Sequence, residues 1–243
     1  MPQNPDPTVR KSVLLAAGRG TRMRELTDDL PKPMIQVRGK PILLHIVEGL
    51  VAAGIERVLI VVGYRAEVVE SFFGDGARFN TSVEYVTQVV QDGTGRVVEL
   101  ARDFAAADPF ILSYGDILVN PANYRRLAAP APGDEAIISV KRNEDVSKGG
   151  AVFLNDRFEL TDLREKPKPG EPTSPWYNAG VYAFRPLIFQ FIATLQKSPR
   201  GEYELTDAIR NMAQSGHEVK ALELHGEWAD VRDPEVLEQL NAQ

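Results

Sequence analysis

Two short segments of this chain gather the residue types that handle phosphate. Leu15-Ala-Ala-Gly-Arg-Gly-Thr-Arg-Met-Arg24 packs two glycines and three arginines into ten residues. Gly18 and Gly20 allow backbone N–H groups to approach phosphate oxygens, and Arg19, Arg22 and Arg24 add charge that suits a polyphosphate. A tight turn with solvated arginines would have the same composition. Two familiar phosphate loops are excluded: a dinucleotide fingerprint needs Gly or Ala where Met23 stands, and Gly-Lys-Ser/Thr is absent. Downstream, Leu30-Pro-Lys-Pro-Met-Ile35 brackets Lys32 between Pro31 and Pro33. The prolines stiffen the backbone around one cation, which can meet a transferring phosphoryl group as a point charge.

Further candidates are spread along the chain. Gln88-Val-Val-Gln-Asp-Gly-Thr-Gly95 follows a strand and opens a helix. There Gln88 can offer an amide to a base edge beside the backbone of Gly93 and Thr94, although helix capping would use the same residues. Ser113-Tyr-Gly-Asp116 ends an apolar run with a carboxylate, a place for a metal or for an ordinary turn residue. His45, His217 and His225 have no mutual metal spacing.

The elements that must position these residues read as alternating strand and helix. Ser12–Ala17, Arg57–Val62, Val83–Thr87 and Pro109–Ser113 are short apolar strands. Pro41–Ala53, Ala66–Phe73 and Thr94–Ala106 are helical between them. Continuous apolar strands alternating with helices predict an α/β fold with a mainly parallel sheet covered on both faces. The second half predicts strands near Ala136–Val140, Gly150–Leu154 and Ala179–Phe184, with helices near Pro186–Gln196 and Leu205–Gln214. Glu165–Pro175 holds four prolines and reads as a surface loop rather than a linker. The expected organisation is a flexible tail over residues 1–10 and a single domain over 11–243.

Composition narrows the chemistry. The chain has 243 residues, 43% of them hydrophobic, enough for a sizeable core. Cysteine is absent, which removes disulfides, thiolate metal sites and cysteine nucleophiles. A net charge of -6 argues against coating nucleic acid or an anionic membrane by charge alone. The first ten residues contain three prolines and no apolar core, so a signal peptide is not expected, nor is a membrane span, and the expected compartment is the cytoplasm.

Gly18-Arg-Gly-Thr-Arg-Met23, followed by Pro31-Lys-Pro33 and Gly39-Lys-Pro41, resembles the signature of the sugar-phosphate nucleotidylyltransferases, over Lys11 to about Leu240. The resemblance implies a Rossmann-like nucleotidyltransferase fold, a mainly parallel mixed sheet flanked by helices. It also implies transfer of a nucleoside monophosphate from a nucleoside triphosphate to a sugar 1-phosphate, with release of pyrophosphate. On that pattern Leu15, Ala16, Ala17, Gly18, Gly20 and Thr21 contact the nucleotide. Gln88, Gly93 and Thr94 read a pyrimidine, so UTP or dTTP is favoured, while Arg96 and Val97 depart from the small or polar residues expected there. Asp116 matches the magnesium motif, and Asp230 in Trp228-Ala-Asp-Val231 matches the second Mg²⁺ ligand. Gly150, Glu165, Lys166 and Asn178 match positions that bind the sugar and its phosphate, and Gly201–Asp207 resembles the segment closing that pocket.

The implied roles put Arg22 on the leaving pyrophosphate, Lys32 on the α-phosphoryl group and Lys166 on the acceptor phosphate. Arg19, Arg22, Arg24, Lys32 and Lys166 are expected to converge on one cleft of an otherwise acidic protein. The expected partners are a nucleoside triphosphate and a sugar phosphate, with homo-oligomerisation left open. A cytidylyltransferase for a non-sugar phosphate or phosphonate is the alternative enzyme. An inactive nucleotide-sugar-binding homologue is the alternative outside catalysis, although it would not need Lys32, Asp116 and Asp230 together.

Overall fold

The computed structural model describes residues 8–242. In chain order the strands and helices begin with β1 (Lys11–Leu15), β2 (Gln36–Val37), β3 (Lys40–Pro41), α1 (Ile42–Ala52), β4 (Arg57–Val62), α2 (Ala66–Phe73) and β5 (Ser82–Thr87). Then come α3 (Thr94–Glu99), α4 (Arg102–Ala105), β6 (Phe110–Tyr114), β7 (Ile117–Val119), α5 (Ala122–Leu127), β8 (Ala136–Arg142) and β9 (Gly150–Leu154). The chain continues through β10 (Leu160–Glu165), β11 (Trp176–Phe184), α6 (Ile188–Ala193), α7 (Leu205–Gln214), β12 (Val219–Glu223), β13 (Trp228–Asp230) and α8 (Pro234–Asn241).

The main sheet runs β10-β9-β11-β6-β1-β4-β5, with β8 pairing β11 and β12. β1 is parallel to both β4 and β6, and β4 is parallel to β5. The half of the sheet that begins the chain is therefore parallel, as the alternation predicts. Beyond β6 the partners of β11 are antiparallel. Alternate residues of each central strand feed opposite faces. Leu14, Ile60 and Ile111 join one apolar cluster, and Val13, Leu59, Val61 and Leu112 join the other.

Several expectations need correction. The helix expected over Thr94–Ala106 is split between α3 and α4. At the break Leu100 and Ala101 bond to Val97 and Val98 carbonyls three residues back, a tightened turn that keeps Val97, Val98, Ala101, Phe104 and Ala105 on the sheet. The strand expected from Ala179 starts at Trp176, because β9 and β8 extend the pairing to that residue. Of the tail expected over residues 1–10, residues 1–7 lie outside the described residues. Val9 is buried and its amide bonds Ala128 O at 2.8 Å, while Arg10 O accepts from Glu56 and Arg57, so packing begins before Lys11. No described helix is long and apolar enough to cross a membrane.

Candidate active site

The glycine-rich loop leaves the carboxyl end of β1, where open α/β sheets receive ligands. Gly115 N–H donates to Leu15 O at 2.9 Å, and a Cβ on Gly115 would stand 2.8 Å from that oxygen. The absence of a side chain there brings the end of β6, and with it Asp116, against the loop. Gly20, at φ 73°, meets the Lys32 stem: its Cβ would lie 2.6 Å from Lys32 Cβ, so only glycine admits the lysine. Lys32 is 6% exposed and forms an ion pair with Asp116. The amides of Gly18, Arg19 and Gly20 make no hydrogen bond among the described residues, and a Cβ on Gly18 would meet open space.

Asp230 arrives from far downstream through a small antiparallel ribbon. β13 pairs β7 with Asp230 opposite Ile117, and Val231 N–H donates to Asp116 O at 3.0 Å. Asp116, in the turn just before β7, is thus brought beside Asp230. Burial, then the charge of Asp116, pushes the Asp230 carboxyl up to about 6, against the pull of Lys32, Arg232 and Arg22. Trp228 braces the ribbon by donating from Nε1 to Ala179 O at 2.9 Å.

These groups line one cavity of about 520 Å³, together with Glu165, Lys166, Asn178, Arg200, Glu202 and Glu204. Asn178 sits where the β11–β8 register shifts, and its amide exchanges hydrogen bonds with the Tyr182 hydroxyl at 2.8 and 3.0 Å. Lys166 adopts φ 44°, an uncommon value for a non-glycine residue, with its N–H on Gly149 O at 2.5 Å. Arg200, which sequence reasoning missed, stands between Glu165 (3.6 Å), Glu202 (3.3 Å) and Glu204 (3.4 Å). Its only sequence signal is that it immediately precedes the Gly201–Asp207 segment. Gln91 was also missed; its Nε2 donates to Ala17 O at 3.4 Å across the cavity mouth.

Burial, then the charge of Glu204, pushes the Glu165 carboxyl up to about 7, partly offset by Lys166 and Arg200. A raised carboxyl favours the neutral form in the folded chain. Its contribution to stability is therefore full below the unfolded value of about 4.5 and is lost as pH rises through about 7. Wild type is expected to lose ~1–2 kcal/mol relative to Glu165→Gln across that window, allowing for the part of the side chain that meets water. Urea unfolding of the ligand-free proteins from about pH 5 to about pH 8 measures it, and a constant difference would refute it.

Of the sequence-predicted residues, Leu15, Ala16, Ala17, Gly18, Gly20, Arg22, Lys32, Gln88, Gly93, Thr94, Asp116, Gly150, Glu165, Lys166, Asn178 and Asp230 all line this cavity. Thr21 does not; it is exposed at the start of a 3₁₀ turn, Thr21–Thr27. Nor does Arg19, whose guanidinium lies 5.1 Å from the Tyr64 ring centroid and 3.9 Å from Asp28. The side chain of Arg24 lies outside the described residues. Thr94 has a second duty, because its hydroxyl accepts from Leu205 N–H at 3.1 Å at the start of α7.

Residues 11–243 match the family model described as Nucleotidyl transferase. A UTP–glucose-1-phosphate uridylyltransferase of Haloferax volcanii is 36% identical over 229 residues, 93% of this chain and 92% of that protein. The bifunctional protein GlmU of Methanococcus maripaludis is 34% identical over 228 residues, and this chain spans about half (51%) of its length. A crystal structure described as a Bacillus anthracis glucose-1-phosphate thymidylyltransferase in complex with a sucrose superposes with a TM-score of 0.83 at 26% identity. That match covers 96% of this chain and 94% of the other. The glycine-rich loop at the end of β1, the Lys32–Asp116 pair and the match over nearly the whole chain agree: the chain belongs to the nucleotidyl transferase family, among its sugar-1-phosphate nucleotidylyltransferases.

Proposed function

We propose that the protein transfers a nucleoside monophosphate from a pyrimidine nucleoside triphosphate, UTP or dTTP, to a sugar 1-phosphate, releasing pyrophosphate, with residues 11–243 acting as one domain. The observation that carries this reading is one cavity lined together by the glycine-rich loop, Lys32, Asp116 and Asp230 and by Glu165, Lys166, Asn178 and Arg200. A phosphate monoester is largely a dianion near neutrality, so the acceptor needs no general base. The protein's work is to align two polyanions in line and to neutralise charge growing on the transferring phosphoryl group. In this reading Arg22 and the loop amides hold the departing pyrophosphate, Lys32 faces the α-phosphoryl group, and Lys166 with Arg200 holds the acceptor phosphate. Glu165 and Asn178 hold sugar hydroxyls, and Gln88, Gly93 and Thr94 face the base.

Asp116 and Asp230 suit a hard divalent cation, since two close carboxylates share only Lys32 as a buried counter-charge. Magnesium bound there supplies positive charge to the phosphate oxygens. The lack of cysteine and the dependence on nucleoside triphosphates support a cytoplasmic setting.

The test is a matrix of UTP, dTTP, CTP and GTP against sugar and alcohol phosphates, read by pyrophosphate release with magnesium present. UTP or dTTP with a hexose 1-phosphate is expected to give the highest kcat/KM. Preference for CTP with an alcohol phosphate or phosphonate would replace this reading by the cytidylyltransferase alternative, and no release with any pair would leave only a binding protein.

A further inference from the structure

The stretch 198–204, between α6 and α7, contributes Arg200, Glu202 and Glu204 to the cavity, the wall assigned above to the acceptor. Its own bonds are short-range: Ser198 N–H to Glu202 O at 2.8 Å, Gly201 N–H to Ser198 O at 2.8 Å, and Ser198 Oγ to Glu204 at 3.1 Å. Its backbone attachment to the rest of the cavity runs through Tyr203, and Arg200 adds an ion pair with Glu165 at 3.6 Å. Tyr203 donates its N–H to Asp92 O at 2.8 Å and accepts Gly95 N–H on its carbonyl at 2.7 Å. Gly93 makes the approach feasible, because at φ 119° its Cβ would stand 2.5 Å from Tyr203 N and O. Above this backbone junction the Arg96 guanidinium lies 4.5 Å from the Tyr203 ring centroid, with Lys197 Nζ at 5.7 Å. Arg96 is one of the two positions where the sequence departs from the pattern expected after Gly93-Thr94.

We propose that Arg96 and Tyr203 form a latch that fixes the acceptor wall against the nucleotide wall, making both of them positioning residues that act through Arg200 and Glu204. The proposal rests on the nucleotidyl-transfer reading for its kinetic consequence, though not for the latch itself. The two sides of the junction are unequal. Gly95, Val97 and Val98 are buried, and the two valines join the apolar cluster under the sheet, whereas 198–204 has no regular element of its own and meets that cluster through the partly buried Tyr203. Opening the latch therefore displaces the acceptor wall and leaves the nucleotide wall in place. Reacting phosphates must approach to about 3–3.5 Å in line, so a small displacement of Arg200 is felt in acceptor binding.

Steady-state kinetics of the full chain with UTP and glucose 1-phosphate, with Arg96→Ala, Tyr203→Leu and Tyr203→Phe, test the kinetic consequence. Arg96→Ala and Tyr203→Leu are expected to raise the acceptor KM roughly threefold to tenfold while the UTP KM stays within about twofold, and Tyr203→Phe, which keeps the ring face, to match wild type. Hydrogen–deuterium exchange of the substrate-free proteins reads the latch directly: exchange over 198–204 is expected to accelerate in Arg96→Ala and not in Tyr203→Phe. An unchanged acceptor KM, an equal rise in both KM values, or unaltered exchange in Arg96→Ala overturns the proposal. If wild type turns over no substrate pair, the functional reading fails while the exchange measurement still decides the latch.

Discussion

Lys32→Ala is expected to lower kcat for nucleotidyl transfer roughly 10²- to 10³-fold with smaller changes in either KM, the size of effect seen when one preorganised electrostatic stabiliser is removed. Lys32 is buried, its stem is pressed against Gly20, and its ammonium is paired with Asp116, so the charge is held where a phosphoryl group between the loop and the acceptor wall would pass. A cation already fixed in a water-poor site needs no reorganisation when negative charge develops beside it. Lys32→Met, which keeps the aliphatic stem and removes only the charge, separates catalysis from packing. It is expected to lose as much turnover as alanine while melting closer to wild type. Turnover within tenfold of wild type in Lys32→Met, measured by pyrophosphate release at saturating substrates, would remove Lys32 from the phosphoryl site.

What was legible in the sequence follows from how far apart the cooperating residues lie. The strand, glycine loop and Pro31-Lys-Pro33 stretch fall within about 25 residues, and local chemistry marks the latter two as phosphate-handling segments, while the contact of Lys32 with Gly20 appears only in the fold. The parallel half of the sheet was readable because its strands are continuous apolar runs. β10 and β12 carry Leu160-Thr-Asp-Leu-Arg-Glu165 and Val219-Lys-Ala-Leu-Glu223, mixed sequences that become strands by pairing β9 and β8. Arg19 was misplaced for a related reason. Its composition fits a phosphate loop, but Tyr64, 45 positions away, offers its ring and Asp28 its carboxylate on the outer side. Arg200 escaped because Glu202 and Glu204 read as ordinary local charge partners, and Glu165 joins them only in the fold. Asp230 was carried by family resemblance alone, and the β7–β13 ribbon supplies the physical reason for its position.

That ribbon makes Asp230→Asn the sharper of the two large predictions, because activity and stability should move in opposite directions. The substitution keeps side-chain size and the pairing of β13 with β7, and it removes one of two half-buried like charges. In the magnesium-free protein above about pH 6, where the Asp230 carboxyl is ionised beside Asp116, the variant is expected to be more stable than wild type by ~1–2 kcal/mol. Turnover is expected to fall roughly 10²- to 10³-fold, with the magnesium concentration for half-maximal activity raised at least about tenfold. Adding magnesium should stabilise wild type by mass action, ~1.4 kcal/mol at about ten times the dissociation constant, and should stabilise the variant far less. Thermal melts at about pH 8 with EDTA and with added magnesium, beside pyrophosphate release, give all three readouts. An Asp230 that only holds the ribbon together would lower the melting temperature on substitution in both conditions. A variant that is destabilised without magnesium, or one that keeps turnover within tenfold, would show that the pair Asp116–Asp230 is a structural contact rather than a cation site.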